Sequence, residues 1–455
     1  MHFWHMLVIL KRQHGDSINE PPTTKSERLD MTQHRRSRVI RTGVFAAVAA
    51  GALILAGCSG TGGGGSSSAG GKEEFSLAYG VVNSATTTSF KALAEAYMHE
   101  NPNVTITLNE IPNDSYAQTL TTQLNAGNAS DVFQTGPGSG QGSSILTLQK
   151  AGLIAPVPAG TNVIPAGSES QFQVDGKTYG VALGLTYVGG ILNDTTANTA
   201  GVTYPTDWDT LISDCKSIAG GGKSLYALAG AMAPNTGLTA LILSATRVYA
   251  DNPNWNQDRT DGKTTFAGSQ GWKDTLQAIV DMNKAGCFQK GVEGAGFDAI
   301  TNGLLQGTAL AAFVPSGAAA DLNRQAPDQK FSIQTVPPAP GGKDFGIVGA
   351  DYAISLNKAA KNADAANKFL DWAASDAGQK VFADAAGSVP IGSDLSKTIY
   401  APVADIINNG DYVPLPLTGW PNPGVYDALG SGVQGLLTGQ KSVDDVLKAM
   451  DTAWG

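Results

Sequence analysis

Phe75-Ser-Leu-Ala-Tyr-Gly-Val-Val82, Phe90-Lys-Ala-Leu-Ala-Glu-Ala-Tyr97, Val104-Thr-Ile-Thr-Leu108, Tyr116 to Leu124 and Asp131-Val-Phe-Gln-Thr135 follow one another across short connections. The first, third and fifth segments carry the apolar or alternating pattern of strands. Phe90, Leu93, Ala94 and Tyr97 fall at i, i+3, i+4 and i+7 behind the capping run Thr86 to Ser89, which stripes a helix that Asn101-Pro102-Asn103 stops. Tyr116 to Leu124 makes a second helix. The order is βαβαβ, which predicts an α/β fold on a parallel sheet, with ligand-binding loops at the carboxyl ends of its strands.

Downstream, residues 205 to 310 are predicted to be mostly helical, with helices over Asp207–Ile218, Gly237–Tyr249, Gly271–Ala285 and Phe297–Gln306. Strand-like segments follow at Ala309–Val314, Phe331–Val336 and Tyr352–Leu356. Helical patterns carry the chain to its end, the last striped by Val443, Val446, Leu447, Met450 and Trp454. No internal repeat is visible.

Upstream, Arg35, Arg36, Arg38 and Arg41 precede an apolar run too short to span a bilayer, which ends in Leu55-Ala56-Gly57-Cys58 and a Gly/Ser-rich stretch. That is the layout of a secretory signal peptide, and Leu55 to Cys58 resembles the bacterial lipobox. The resemblance implies cleavage before Cys58, a lipid on that cysteine and a flexible tether. The competing reading is a buried apolar helix with a core cysteine. Residues 1–30 carry no coherent pattern and Met31 would begin a signal peptide of ordinary length. Residues 1–57 therefore read as leader, with the signal peptide at about 31–57, and 58–72 as lipidated cysteine and tether.

Eight of the 30 Lys and Arg and four of the 39 Asp and Glu precede Cys58, so the remaining chain has a formal balance of −13. With no basic run after residue 58, a nucleic-acid partner is excluded. Of the 5 histidines only His99 follows Cys58, on a charged helix end, which argues against His-based metal sites and Ser-His-Asp catalysis. No cofactor, metal or catalytic residue is expected. Of the 3 cysteines, Cys215 and Cys287 remain as a pair in an exported chain, for which a disulfide is expected, with two separate buried thiols as the alternative.

The chain resembles the large family of extracellular solute-binding proteins, including the maltose-binding protein, that deliver sugars to ABC importers. The resemblance is carried by Phe90 to Tyr97 with Asn101-Pro-Asn-Val104, Leu120-Thr-Thr-Gln-Leu-Asn-Ala-Gly127 with Asp131-Val-Phe133, and Gly176-Lys-Thr-Tyr-Gly-Val181. It continues in Leu192-Asn-Asp194, Pro205-Thr-Asp-Trp-Asp-Thr-Leu211, Asn362-Ala-Asp-Ala-Ala-Asn-Lys-Phe-Leu-Asp-Trp372 and Leu436 to Val446. It implies a two-lobed periplasmic-binding-protein fold (type II) with a multi-segment hinge: a first lobe of 73–185 plus 350–389 and a second of 186–349 plus 390–455. It further implies closure over a solute, docking on the permease membrane subunits, and a monomer held by its lipid on the extracytoplasmic face of the cell membrane.

A sugar needs acceptors in its ring plane and an aromatic ring beneath it. Counting back from the closing helices sets Tyr426 where maltose-type receptors place a stacking aromatic; the alternative is a helix-start tyrosine packed in the second lobe. Trp420 lies in an irregular loop, as ligand platform or interlobe packing, whereas Trp208, Trp272, Trp372 and Trp454 fall on amphipathic helices and read as core. The loops after strands offer Tyr79 and Asn83, Thr135, Thr186 and Tyr187 at the first crossing, and Asp351 at a later one, as ligand contact or hinge carboxylate. Relatives often carry a tryptophan where this chain has Ala318 or Ala319, which loosens any link to a maltose-like ligand. A carbohydrate is the expected solute; a polyol, amino compound or short peptide is the alternative, and a secreted glycoside hydrolase the reading from another class.

Overall fold

The computed structural model describes residues 71–81, 84–158 and 163–455; the leader, Cys58 and Asn83 lie outside them. The opening βαβαβ run forms as β1 (Glu73–Val81), α1 (Ser84–Glu100), β2 (Val104–Pro112), α2 (Asn113–Ala126) and β3 (Val132–Thr135). All three strands are parallel, with β1 central. The stripe Phe90, Leu93, Ala94 and Tyr97 is buried, which is what orients α1 on the sheet.

The chain continues through α3 (Ile145–Lys150), β4 (Ile154–Ala155), the hairpin β5 (Gln173–Val174) and β6 (Lys177–Thr178), and the long β7 (Val181–Asn193). Then come α4 (Asp194–Ala200), α5 (Trp208–Gly220), β8 (Ser224–Ala227), α6 (Ala233–Ser244) with a π-helical turn over Ala245–Tyr249, α7 (Trp255–Thr260), α8 (Gln270–Lys284) and α9 (Asp298–Leu305). The last part holds β9 (Ala309–Pro315), α10 (Gly317–Gln325), β10 (Phe331–Gln334), β11 (Gly346–Asn357), α11 (Ala363–Ala373), α12 (Asp376–Ala386), α13 (Ala404–Asn409), β12 (Tyr412–Val413), α14 (Gly424–Leu437) and α15 (Val443–Trp454).

One sheet runs through the molecule in the order β2-β1-β3-β11-β7-β9-β8. Buried apolar side chains gather in two pairs of clusters. One pair draws on residues 75–183 and 353–382, the other on 185–348 and 389–450, so the packing divides into a first and a second lobe. Only the antiparallel strands β7 and β11 feed both. The amino-terminal half of β7 pairs with the carboxyl-terminal half of β11 in the first lobe, and their other halves pair in the second. The ladder skips Gly184 and Asp351, which stand opposite each other where the strands cross between lobes. Gly184 has φ +65°, and a Cβ there would collide with the Ser388 side chain, so glycine is what this bend requires.

The second lobe is fastened by a disulfide from Cys215 on α5 to Cys287 after α8, with Cα atoms 4.5 Å apart. Cys287 also accepts the Tyr226 N–H at 2.8 Å, tying the bridge to the sheet. Asp207 caps α5 by accepting the Thr210 N–H at 2.9 Å. Among the described residues no helix is long and apolar enough to cross a membrane.

Candidate functional site

A cavity of about 500 Å³ lies where β7 and β11 cross between the lobes. The first lobe lines it with Tyr116 on α2, Gln134 and Thr135 at the end of β3, and the loop from Gly136 to Ser144. The crossing strands contribute Thr186, Val188, Ile347 and 349–352, and the second lobe adds Pro315, Pro414, Leu415, Leu417 and Thr418. The loop position follows from the parallel strands, whose carboxyl ends open onto the cleft.

Among the described residues three hydrogen bonds join the lobes. The Ser139 N–H donates to the Thr418 carbonyl at 3.0 Å and Gln171 Nε2 donates to Thr418 Oγ1 at 2.9 Å. Tyr412 donates its hydroxyl to the Ala166 carbonyl at 2.7 Å. The first bridge depends on Gly138, at φ +69°, because a Cβ there would strike the Thr418 carbonyl. The chain therefore has the means to hold its lobes together by direct hydrogen bonds.

Among the described residues Asp351 is the only charged side chain lining the cavity, and its carboxylate accepts no hydrogen bond from them. Burial pushes its carboxyl up to about 7. Asp131 makes the contrast. Its burial also acts upward, but the backbone N–H groups of Asn362 and Ser76 and the Ser76 hydroxyl hold its carboxyl below the usual range. Asp131 is thus a satisfied structural carboxylate, and Asp351 is an unsatisfied one facing open space.

Thr135, Thr186 and Asp351 come together on the cavity wall. Thr135 shares a hydrogen bond with Ser355 at 2.9 Å. Thr186 lies 3.2 Å from Ser316, which also meets the Tyr400 hydroxyl at 2.6 Å, locking the crossing segment of β7. Gln134, Gln171 and Thr418, on the same wall, had no signal in the sequence.

Four aromatic expectations are corrected. Tyr79 lies inside β1, fully buried, stacked on Phe90 at 5.1 Å with its hydroxyl donated to Glu110 at 2.9 Å. Tyr187 is fully buried, because alternation along β7 turns it away from the face of Thr186 and Val188. Trp420 is 1% exposed and packs against Phe266, Trp272 and Trp454 in the core of the second lobe, neither platform nor interlobe contact. Tyr426 is half-buried at the start of α14, donates its hydroxyl to the Pro234 carbonyl at 2.6 Å, and does not line the cavity.

The model of a bacterial extracellular solute-binding protein matches residues 83–380. The chain belongs to this family. It is accordingly the solute-binding receptor of an ABC importer, a binding protein and not an enzyme. A binding protein of Brucella abortus (strain 2308) is 23% identical over 395 residues, 82% of this chain and 91% of the other. The fold matches the solute-binding protein RafE in complex with raffinose, with a TM-score of 0.68 and 20% identity over 84% of this chain and all of that one. It also matches a sugar transporter protein from Bacillus licheniformis in complex with stachyose, with a TM-score of 0.66 and 16% identity over 83% of this chain and 99% of that one. The family placement removes the glycoside-hydrolase reading.

Proposed function

We propose that this receptor captures a carbohydrate between its lobes by bending at the β7–β11 crossing, and hands it to the membrane permease from a lipid anchor at Cys58. The observation that carries the reading is the interlobe cavity, with neutral hydrogen-bonding groups from both lobes around a single carboxylate. Ser, Thr and Gln side chains suit hydroxyls, and Asp351 accepts from two of them at once. Residues 73–185 with 350–389, and 186–349 with 390–455, would then move as the two bodies, in a monomer on the extracytoplasmic face.

A thermal-shift screen of sugars, polyols, amino compounds and short peptides tests the solute. A sugar at 100 times its Kd is expected to stabilise the protein by about 2.7 kcal/mol. A response confined to peptides or amino compounds would refute the carbohydrate reading. The anchor has its own check: Cys58→Ser is expected to release the protein from membranes, and a mutant that fractionates with them at the wild-type level would exclude lipidation there.

A further inference from the structure

Among the described residues Phe297 is the large hydrophobic side chain left exposed, at 50%. An aromatic ring half in water forfeits much of its burial free energy, so its position matters. Strands β8 and β9 are parallel, and Pro315 at the end of β9 lines the interlobe cavity. The carboxyl end of β8 therefore faces the cleft too. From that end the chain enters the loop 228–232, where Leu228 donates its N–H to the Gln289 side chain at 3.0 Å and Ala231 donates its N–H to the Ala295 carbonyl at 3.0 Å.

Phe297 follows two residues later, immediately before α9. That helix packs on β8 and β9 and leads into the start of β9 at Ala309, the end remote from the cleft. Its first residue, next to Phe297, is therefore at the cleft end. Tyr426 on α14 donates to the Pro234 carbonyl in the first turn of α6, the helix that follows this loop. Phe297 thus stands beside the loop after β8, at the cleft-facing edge of the second lobe and outside the inner cavity. Glu293 and Asp298, both exposed, lie in the same segment as Phe297.

We propose that Phe297 is a sugar-stacking residue that defines an outer subsite of the cleft, where its face meets the C–H face of a pyranose ring while Glu293 and Asp298 accept from hydroxyls at the ring edge. The proposal rests on the carbohydrate reading above and adds the size of the solute: a saccharide of three or more rings, one end in the inner cavity and the other on Phe297. The inner cavity offers little competing platform, since the Tyr116 hydroxyl is held by the Gln134 carbonyl at 2.7 Å and Tyr352 packs edge-on to Phe90 and Phe382.

Calorimetry on the wild type, Phe297→Ala and Phe297→Trp, with two-, three- and four-ring members of the raffinose, malto- and xylo-oligosaccharide series, tests it. Phe297→Ala is expected to weaken binding of the three- and four-ring sugars about 5- to 10-fold and to leave the two-ring sugar and the unliganded melting temperature unchanged. Phe297→Trp is expected to restore affinity, with indole fluorescence that responds to the longer sugars only. Equal affinity of wild type and Phe297→Ala for the longer sugars overturns the subsite alone, even if the variant then slows uptake in cells, which would make Phe297 a permease contact. A wild type that binds none of these sugars overturns the subsite together with the oligosaccharide reading.

Discussion

Asp351→Asn is expected to bind the best sugar found by screening about 10- to 100-fold more weakly than the wild type, while melting at a higher temperature at pH 8. The first effect follows from exchanging a carboxylate that accepts charge-assisted hydrogen bonds for an amide, a difference of about 1.5–3 kcal/mol. The second follows from the absence of a partner for that carboxylate among the described residues. Its carboxyl rises from the ordinary value of 3.8 to about 7, so between those values the folded protein holds a proton that the unfolded chain has released. Asp351's contribution to stability accordingly falls as pH rises from about 4 to about 7 and stays low above that. The residue is only partly buried, so solvent screens the ionised group and reduces the full linkage to on the order of 1–2 kcal/mol. Because the other groups are common to both proteins, the difference in stability between Asn variant and wild type should open across that window. Wild-type sugar affinity should rise through the same range and that of the variant should not. Calorimetric melting and titration from pH 4 to 8 check both. A variant that binds as well as the wild type would remove Asp351 from the site. A variant less stable than the wild type at pH 8 would show an unseen partner for the carboxylate.

Breaking the Cys215–Cys287 bridge is expected to destabilise the protein by about 4 kcal/mol, from loop-closure entropy over a separation of 72 residues. The paired substitution Cys215→Ser with Cys287→Ser is the better variant, since a single change leaves a reactive thiol. Both sulfurs lie in the fully buried core of the second lobe, where hydroxyls lacking hydrogen-bond partners add to the loss. Chemical denaturation of oxidised wild type, reduced wild type and the double variant measures it. Two alkylatable thiols in protein purified from an oxidising compartment, or an unchanged denaturation midpoint, would refute a stabilising bridge.

The elements with short-range periodicity were legible. The α1 stripe buries the four residues whose spacing marked it, and the βαβαβ order appears as parallel strands. Strand β11 was only half legible, because Gly346, Gly349 and Asp351 break the apolar pattern over the half that pairs in the second lobe. Tyr79 and Trp420 were misplaced for the same reason. Whether a ring at a strand end or in a proline-rich loop turns inward depends on distant partners: Phe90 and Glu110 for Tyr79, and Phe266 and Trp272 for Trp420. The Gln171–Thr418 bridge joins residues 247 positions apart, and no local pattern announces it. Asp351 and Thr186 were expected at the cleft through the family resemblance, whose crossing segments line it, and both stand on the cavity wall; their contact with a ligand belongs to the proposal.

On the proposed function, the two lobes close over a solute by bending where β7 and β11 cross. Small-angle scattering of the protein with and without saturating sugar tests it most directly, because closure buries surface on both walls of the cleft and excludes solvent between them. A smaller radius of gyration is expected on saturation, as ligand shifts the population toward the state bridged through Thr418. An unchanged radius of gyration at saturation, with binding established by calorimetry in the same sample, would contradict it.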